Sequence, residues 1–411
     1  LLHVPPAAPL AGAGAAPTAL GDAPRPSLAE ASAAAQARAT RLGRAAGARV
    51  ALADVAPEIP DFVQRLLPAA LRVPVLLREE RLHALEGAAR RVRRAGVAAD
   101  VLLLEGSATV ALVGEVQRGA HQLLVVPVPA AADPGSDAAA ARRLAQHLVR
   151  KAPCPVLLVP PAARRRSATA GARAPSPRRR RRVLAALDVT GAADVGVEAP
   201  PRPIDAVTRL FALRILRTAA LHAALEGAEL HVVHVWSAYG ERMLRGPRFA
   251  GGVADADVRR YVAAVEGHAR ASLDAVLARC AADVGGRVPP ERVHLVKGEA
   301  GEVLPALAAA HAIDTLVLGT VARSGFAGLL VGNTAEGVLE TLPALAACAM
   351  LVVKPDGFVS PIGRPSAVQA LAEPRDAQSP AAAGAPAGLG GSATLGTAGA
   401  TAANGGRHAG R

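Results

Sequence analysis

The chain is predicted to fold as two tandem α/β domains, each an open parallel five-stranded sheet with helices on both faces. Three observations lead to that class. Short runs that are apolar throughout alternate with helix-length patterns, as in a parallel sheet covered on both sides. The same order of runs occurs twice. The length, 411 residues, also exceeds the roughly 250–300 residues that one core organises.

The second copy is the clearer one. VLAALDV (183–189) is a short buried strand ending at Asp188, and residues 204–226 have a helical pattern. ELHVVHVW (229–236) is the next strand, and a long helical pattern covers 255–284. RVHLVKG (292–298), a helix over 299–312 and DTLVLGT (314–320) follow. A glycine-bearing loop, a helix from about 333 to 345 and the strand AMLVVKP (349–355) complete the unit.

In the first copy, a helix over 27–45 precedes RVALADV (49–55), which corresponds to LHVVHVW. VLLLEG (101–106) corresponds to VHLVKG, LLVVPV (123–128) to TLVLGT, and CPVLLVPP (154–161) to CAMLVVKP (348–355). Gly106 to Pro127 and Gly298 to Gly319 are both 21 residues. Ordered matching of four strands with one equal spacing marks an internal duplication. The first copy lacks a convincing first strand; LLHVPP at 1–6 is at most a remnant.

Five segments result: an Ala/Pro-rich stretch (1–26), a first domain (27–160), a linker (161–182), a second domain (183–361) and an Ala/Gly-rich tail (362–411). The tail cannot bury enough apolar surface to order itself and is expected to be disordered. Hydrophobic residues make up 51% of the chain but aromatics only 2%, so the cores must be built from Ala, Val and Leu. The net charge of +13 comes almost wholly from arginine, since lysine occurs only at Lys151, Lys297 and Lys354. Nine of the arginines lie in the linker, without the interleaved aromatics that stack on bases. They read as a solvated, self-repelling connector, and nucleic acid is not expected as a partner.

Cys154, Cys280 and Cys348 are too few and too scattered for a disulfide framework or a zinc site. No run of eighteen uncharged apolar residues exists, and the N-terminal stretch lacks a basic n-region, so a cytoplasmic location is expected. His231 and His234, three apart in one strand, point to opposite faces and do not chelate one metal together. No metal site is expected.

The chemistry-bearing stretch is Gly319-Thr-Val-Ala-Arg-Ser-Gly-Phe-Ala-Gly-Leu-Leu-Val-Gly332-Asn333-Thr334-Ala-Glu336. It leaves a buried strand and enters a helix. The carboxyl ends of parallel strands are where such sheets bind ligands, and a helix N-terminus favours phosphate. A plain strand–loop–helix with a good cap is the alternative, Glu336 completing a capping box with Asn333. No G-x-x-x-x-G-K-[ST] is present, so this is not a P-loop NTPase. No G-x-G-x-x-G follows the first strand, which argues against a nicotinamide-binding domain.

The runs GTVARSGFAGLLVGNTAEGVLE (319–340), VVKPDGFVSP (352–361) and VHLVKGEAGEVLPALA (293–308) resemble the universal stress protein family, in particular its tandem E-type branch. The family loop reads Gly-x-x-Gly, nine residues, then Gly with Ser, Thr or Asn. Gly319, Gly332 and Asn333 match it, and Ala322 replaces the middle glycine. The resemblance implies two Rossmann-like, adenine nucleotide alpha hydrolase-like domains paired along their last strands in an internal pseudo-dimer, with further homodimerisation left open. It implies ATP or another adenine nucleotide, with or without Mg, as ligand. Asp188 would hold the adenosine part and Val235 would contact the base. Gly319, Thr320, Gly332, Asn333 and Thr334 would hold the phosphates, with Arg323 adding charge.

The first copy has Pro127 where Gly319 stands and no Gly-Asn-Thr after it, so it is expected to be a non-binding structural partner. Asp54 falls where His234 does. The expected function is a nucleotide-responsive stress regulator; the alternative is an interaction module that binds no nucleotide. No paired acid/base set is present, so an enzyme is not expected, at most slow ATP hydrolysis.

Overall fold

The computed structural model describes residues 1–3, 28–56, 73–129, 136–161, 179–189, 206–238, 240–246, 253–283, 285–320 and 348–363. The first half contributes β1 (Leu2–His3), α1 (Leu28–Ala46), β2 (Val50–Ala56), α2 (Val73–Arg94), β3 (Ala99–Glu105), α3 (Ala108–Arg118), β4 (Leu124–Pro127), α4 (Ser136–Lys151) and β5 (Val156–Val159). The second half contributes β6 (Arg182–Leu187), α5 (Ala206–Glu226), β7 (Glu229–Trp236), α6 (Asp255–Cys280), β8 (Val293–Lys297), α7 (Ala300–Ala310), β9 (Thr315–Gly319) and β10 (Ala349–Val353). The helix expected at 333–345 and the tail from 364 lie outside the described residues.

All ten strands form one sheet in the order β3-β2-β1-β4-β5-β10-β9-β6-β7-β8. Each half is parallel and runs in the same internal order. The two halves meet through β5 and β10, which pair antiparallel with Leu157 opposite Leu351. The two five-stranded sheets expected are present and, joined along their last strands, run on as one ten-stranded sheet. The physical reason is that β5 and β10 are apolar on both faces and buried throughout; left as free edges, such strands would recruit other chains.

The absence of a convincing first strand in the first copy is corrected. Leu2 and His3 form β1, parallel to β2 and β4, in the place that β6 occupies in the second half. Two residues suffice because flanking strands supply partners on both sides.

The strands read as apolar runs because both faces are covered. On one face, Ala35, Ala39 and Leu42 of α1, Leu85 and Val92 of α2, Leu213 and Leu216 of α5, and Leu273 and Val276 of α6 join one core. On the other, Leu112 and Val116 of α3, Leu148 and Val149 of α4, and Leu304 and Ala308 of α7 join a second. The duplication is visible in backbone detail. Residues just past α3 and α7, Ala120 and Ala312, both adopt the left-handed conformation at φ 47° and 48°, which is uncommon for a residue with a Cβ.

The three cysteines are free and buried. Burial pushes the thiols of Cys154 and Cys348 up to about 11 and about 12 respectively, so neither is a ready nucleophile. The last arginines of the linker are not merely solvated. Arg179 pairs with Asp314 at 3.1 Å and Arg181 with the buried Glu226 at 3.3 Å. No described helix is long and apolar enough to cross a membrane.

Candidate functional site

In the second half, strand order reverses direction at β6. The chain steps outward from β6 to β7 to β8, then returns through α7 to place β9 on the other side of β6. The crevice outside the carboxyl ends of β6 and β9 is the position where open parallel sheets take ligands.

Asp188 and Thr320 both lie at that edge, each directly after the end of its strand. Leu187 of β6 lies beside His234 of β7, so Asp188 follows beside Val235. On the other side of β6, the pairing with β9 ends at Ala185 and Val317, and Thr320 stands three residues further along. Asp188 and Val235 therefore share one rung and face, because parallel neighbours in register point the same way, and Thr320 ends the next strand. Asp188 is exposed, Val235 half-buried and Thr320 buried. Arg323, Gly332, Asn333 and Thr334, together with Ala322, lie outside the described residues.

Two of these residues are also tied to the scaffold. The Thr320 backbone N–H donates to Val353 O at 3.2 Å, and its hydroxyl approaches the same carbonyl at 3.5 Å. This fixes the point where the chain leaves β9. Gly319 faces the opposite side, against α5. A Cβ there would run into the Phe211 ring and come within 2.9 Å of Ile215 Cδ1. Its lack of a side chain is thus required by helix packing before any ligand is considered. Nothing in the sequence marks that contact, because Phe211 lies more than a hundred positions away.

His234 supports the same edge from below. It is fully buried, and its Nδ1–H donates to Leu187 O at 2.9 Å, the residue before Asp188. The acceptor is a carbonyl, so this nitrogen carries the proton. The reading of His234 as a core histidine thus acquires a specific task, which is to hold the end of β6.

The first half lacks the polar pair. Aligning Gly106 with Gly298 puts Leu103 at Leu295; the first pairs with Asp54 and the second with His234, so Asp54 does stand where His234 does. By the same count Val55 takes the place of Val235 and Val128 that of Thr320. Val128 repeats the backbone bond, its N–H donating to Val159 O at 2.9 Å, but it has no hydroxyl. Asp188 corresponds to Pro5, outside the described residues. Asp54 is buried and closed off by Arg81 of α2, whose Nη1 lies 2.9 Å from its carboxylate. Burial raises the Asp54 carboxyl, and Arg81 opposes that shift. The ion pair is internal and offers no ligand group.

Comparison with known proteins places this architecture. Residues 210–354 match the model of the Universal stress protein family. Universal stress protein E of Salmonella typhi is 42% identical over 69 residues, 17% of this chain and 21% of that protein. Its homolog from Haemophilus influenzae is 35% identical over 68 residues, 16% of this chain and 21% of that protein. The chain therefore matches only about a fifth of the length of these relatives. Among solved structures, a putative universal stress protein from Pseudomonas aeruginosa UCBPP-PA14 covers 78% of this chain and 88% of its own, at 22% identity and a TM-score of 0.50. One from Archaeoglobus fulgidus DSM 4304 covers 86% and 97%, at 16% identity and a TM-score of 0.50. At those identities the likeness is one of fold.

Proposed function

We propose, from the match of residues 210–354 to the Universal stress protein family, that the chain is a stress-response regulator holding an adenine nucleotide in its second half alone. The observation that carries this reading is the contrast between two equivalent sheet edges. The second half presents Asp188, Val235 and Thr320 at the crevice where the strand order reverses. The first half has Val55 and Val128 at the positions of Val235 and Thr320, and Val128 lacks the hydroxyl that could bond a phosphate. Asp188 accepts sugar hydroxyls, Val235 packs on the base, and Thr320 opens the phosphate segment that continues through Arg323 to Gly332, Asn333 and Thr334. The first half acts as a structural partner, joined through β5 and β10 as an internal pseudo-dimer. The protein senses nucleotide and does not turn it over.

The test is calorimetric titration of the full chain with ATP, ADP and AMP, with and without Mg. One saturable site per chain is expected. Asp188→Asn should weaken it about 10- to 100-fold, since a hydrogen bond to a charged group contributes about 1.5–3 kcal/mol and each 1.4 kcal/mol is tenfold. Two sites per chain, or one that is indifferent to Asp188, would refute the assignment. Silence toward all three nucleotides would establish the interaction-module reading instead, for which Ala322 gives the reason: a Cβ stands where the family's loop has glycine.

A further inference from the structure

At the opposite, amino-terminal edge of the second half, three histidines from three elements converge. His231 lies near the start of β7, His294 near the start of β8, and His311 directly after α7. One ligating nitrogen from each lies within 4.8 Å of the other two. His231 Nδ1 and His294 Nε2 are 3.3 Å apart, with their rings stacked at 5.6 Å. The His294 and His311 rings are centred 4.6 Å apart. From these positions we infer that His231, His294 and His311 form a binding site for one divalent transition-metal ion of the zinc class.

Three observations carry the inference. The first is geometric. Zinc–imidazole bonds of about 2.0–2.1 Å in a tetrahedral site put ligand nitrogens about 3.3 Å apart, the separation already present between His231 and His294. Only His311 has to draw closer, and it sits at a helix end beside the site.

The second is the state of the pair in the absence of a metal. His231 is 6% exposed, and its Nδ1 faces His294 Nε2 at 3.3 Å, so one of these two nitrogens has to donate and the other accept. A metal held by both lone pairs replaces that single hydrogen bond and draws in His311 as well. The proton of His231 then sits on Nε2, the nitrogen that has no partner.

The third is an internal control built into the duplication. In the first half, the positions of His231, His294 and His311 are held by Ala51, Leu102 and Gly119. Ala51 is a member of the apolar core on that face, and Leu102 packs against it. Gly119 ends α3 as His311 ends α7. At the first two positions the same backbone is served by apolar packing, so the fold does not need polar groups there; beside Gly119 the space is taken by His121, 3.4 Å from Glu115. The second half carries three ligand-type side chains instead.

The neighbouring charges are largely settled among themselves. Arg182 and Arg292 both pair with Glu229, at 3.4 and 3.5 Å, and Arg182 also donates to His311 O at 2.8 Å. That last bond holds the backbone of the third ligand. Three neutral imidazoles leave a fourth position for water, and imidazole suits zinc better than magnesium or calcium, which prefer oxygen. The site is about four strand residues, roughly 13 Å, from the Asp188 rung and does not depend on nucleotide binding there.

The experiment uses the full chain, stripped with a chelator and titrated with Zn2+ alone, the bound metal being counted by equilibrium dialysis. One tight ion per chain is expected, with a rise in Tm on binding. His294→Leu installs the residue that the first half uses at this position, so it should fold with unchanged metal-free Tm and lose at least about 100-fold in zinc affinity. His311→Gly, copied from Gly119, should do the same. Co2+ bound to the wild type should give the visible absorption of a four- or five-coordinate ion, absent in both variants. No tight zinc in the wild type would overturn the inference. So would zinc that survives in both variants, which would place it on the cysteines or other histidines.

Discussion

At the scale of single residues, position decides what a side chain does, and Gly319 is the clearest case. In the sequence it is the first glycine of a phosphate-type loop. In the structure its missing Cβ leaves room for Phe211 and Ile215 of α5. Gly319→Val should therefore cost about 1–3 kcal/mol through overpacking, read as a lower urea midpoint of the nucleotide-free protein. A variant of undiminished stability would show that α5 yields freely. His222 gives a pH dependence. It is buried, and burial first, then the Arg38 guanidinium, hold it down to about 4 from an ordinary 6.5. Its neutral form is retained in the folded state while the unfolded chain takes up a proton. Its contribution is thus fully present above about pH 6.5 and is lost as pH falls toward 4. Between pH 7 and 5 the wild type should lose about 2 kcal/mol more than His222→Gln, measured by urea unfolding at both values; parallel pH profiles would refute it.

At the scale of elements, the contact of α1 with α5 joins the two halves by polar chemistry. Arg38 of α1 is 8% exposed. Its Nε lies 2.9 Å from the carboxylate of Glu226 at the end of α5, while its other nitrogens reach His222, Thr315 and Asp314 O. Removing one partner of a buried pair strands the other charge. Arg38→Met is expected to cost about 3–5 kcal/mol, and the double variant with Glu226→Leu to recover much of that. Arg181, which also reaches Glu226, tempers the single loss. A double variant no better than the single one would show that packing, not charge, sets the effect. None of this network was legible in the sequence, because α1 and α5 are separated by 188 positions at the Arg38–Glu226 contact. The strands were legible, by contrast, since both faces of each are buried and leave long apolar runs. ELHVVHVW was read to its ends. The two-residue β1 was not, because its order comes from its neighbours β2 and β4 and not from its own composition.

At the scale of the whole molecule, the duplication read from four matched runs returns as a repeated strand order, and the seam between copies is the antiparallel pairing of β5 with β10. The sequence by itself determined the class, the succession of all but the first strand along the chain and the strand ends that carry Asp188 and Thr320, because periodicity and strand polarity are local properties that survive in a linear string. Only the tertiary structure decided the rest. It set the antiparallel register of β5 against β10 and gave Gly319 a packing reason. It closed Asp54 with Arg81 and brought His231, His294 and His311 together from positions 17 to 80 residues apart. Those outcomes depend on register and on which helices land on which face. Contacts between residues distant in the chain are fixed by the shared core, and no local pattern in the sequence encodes them.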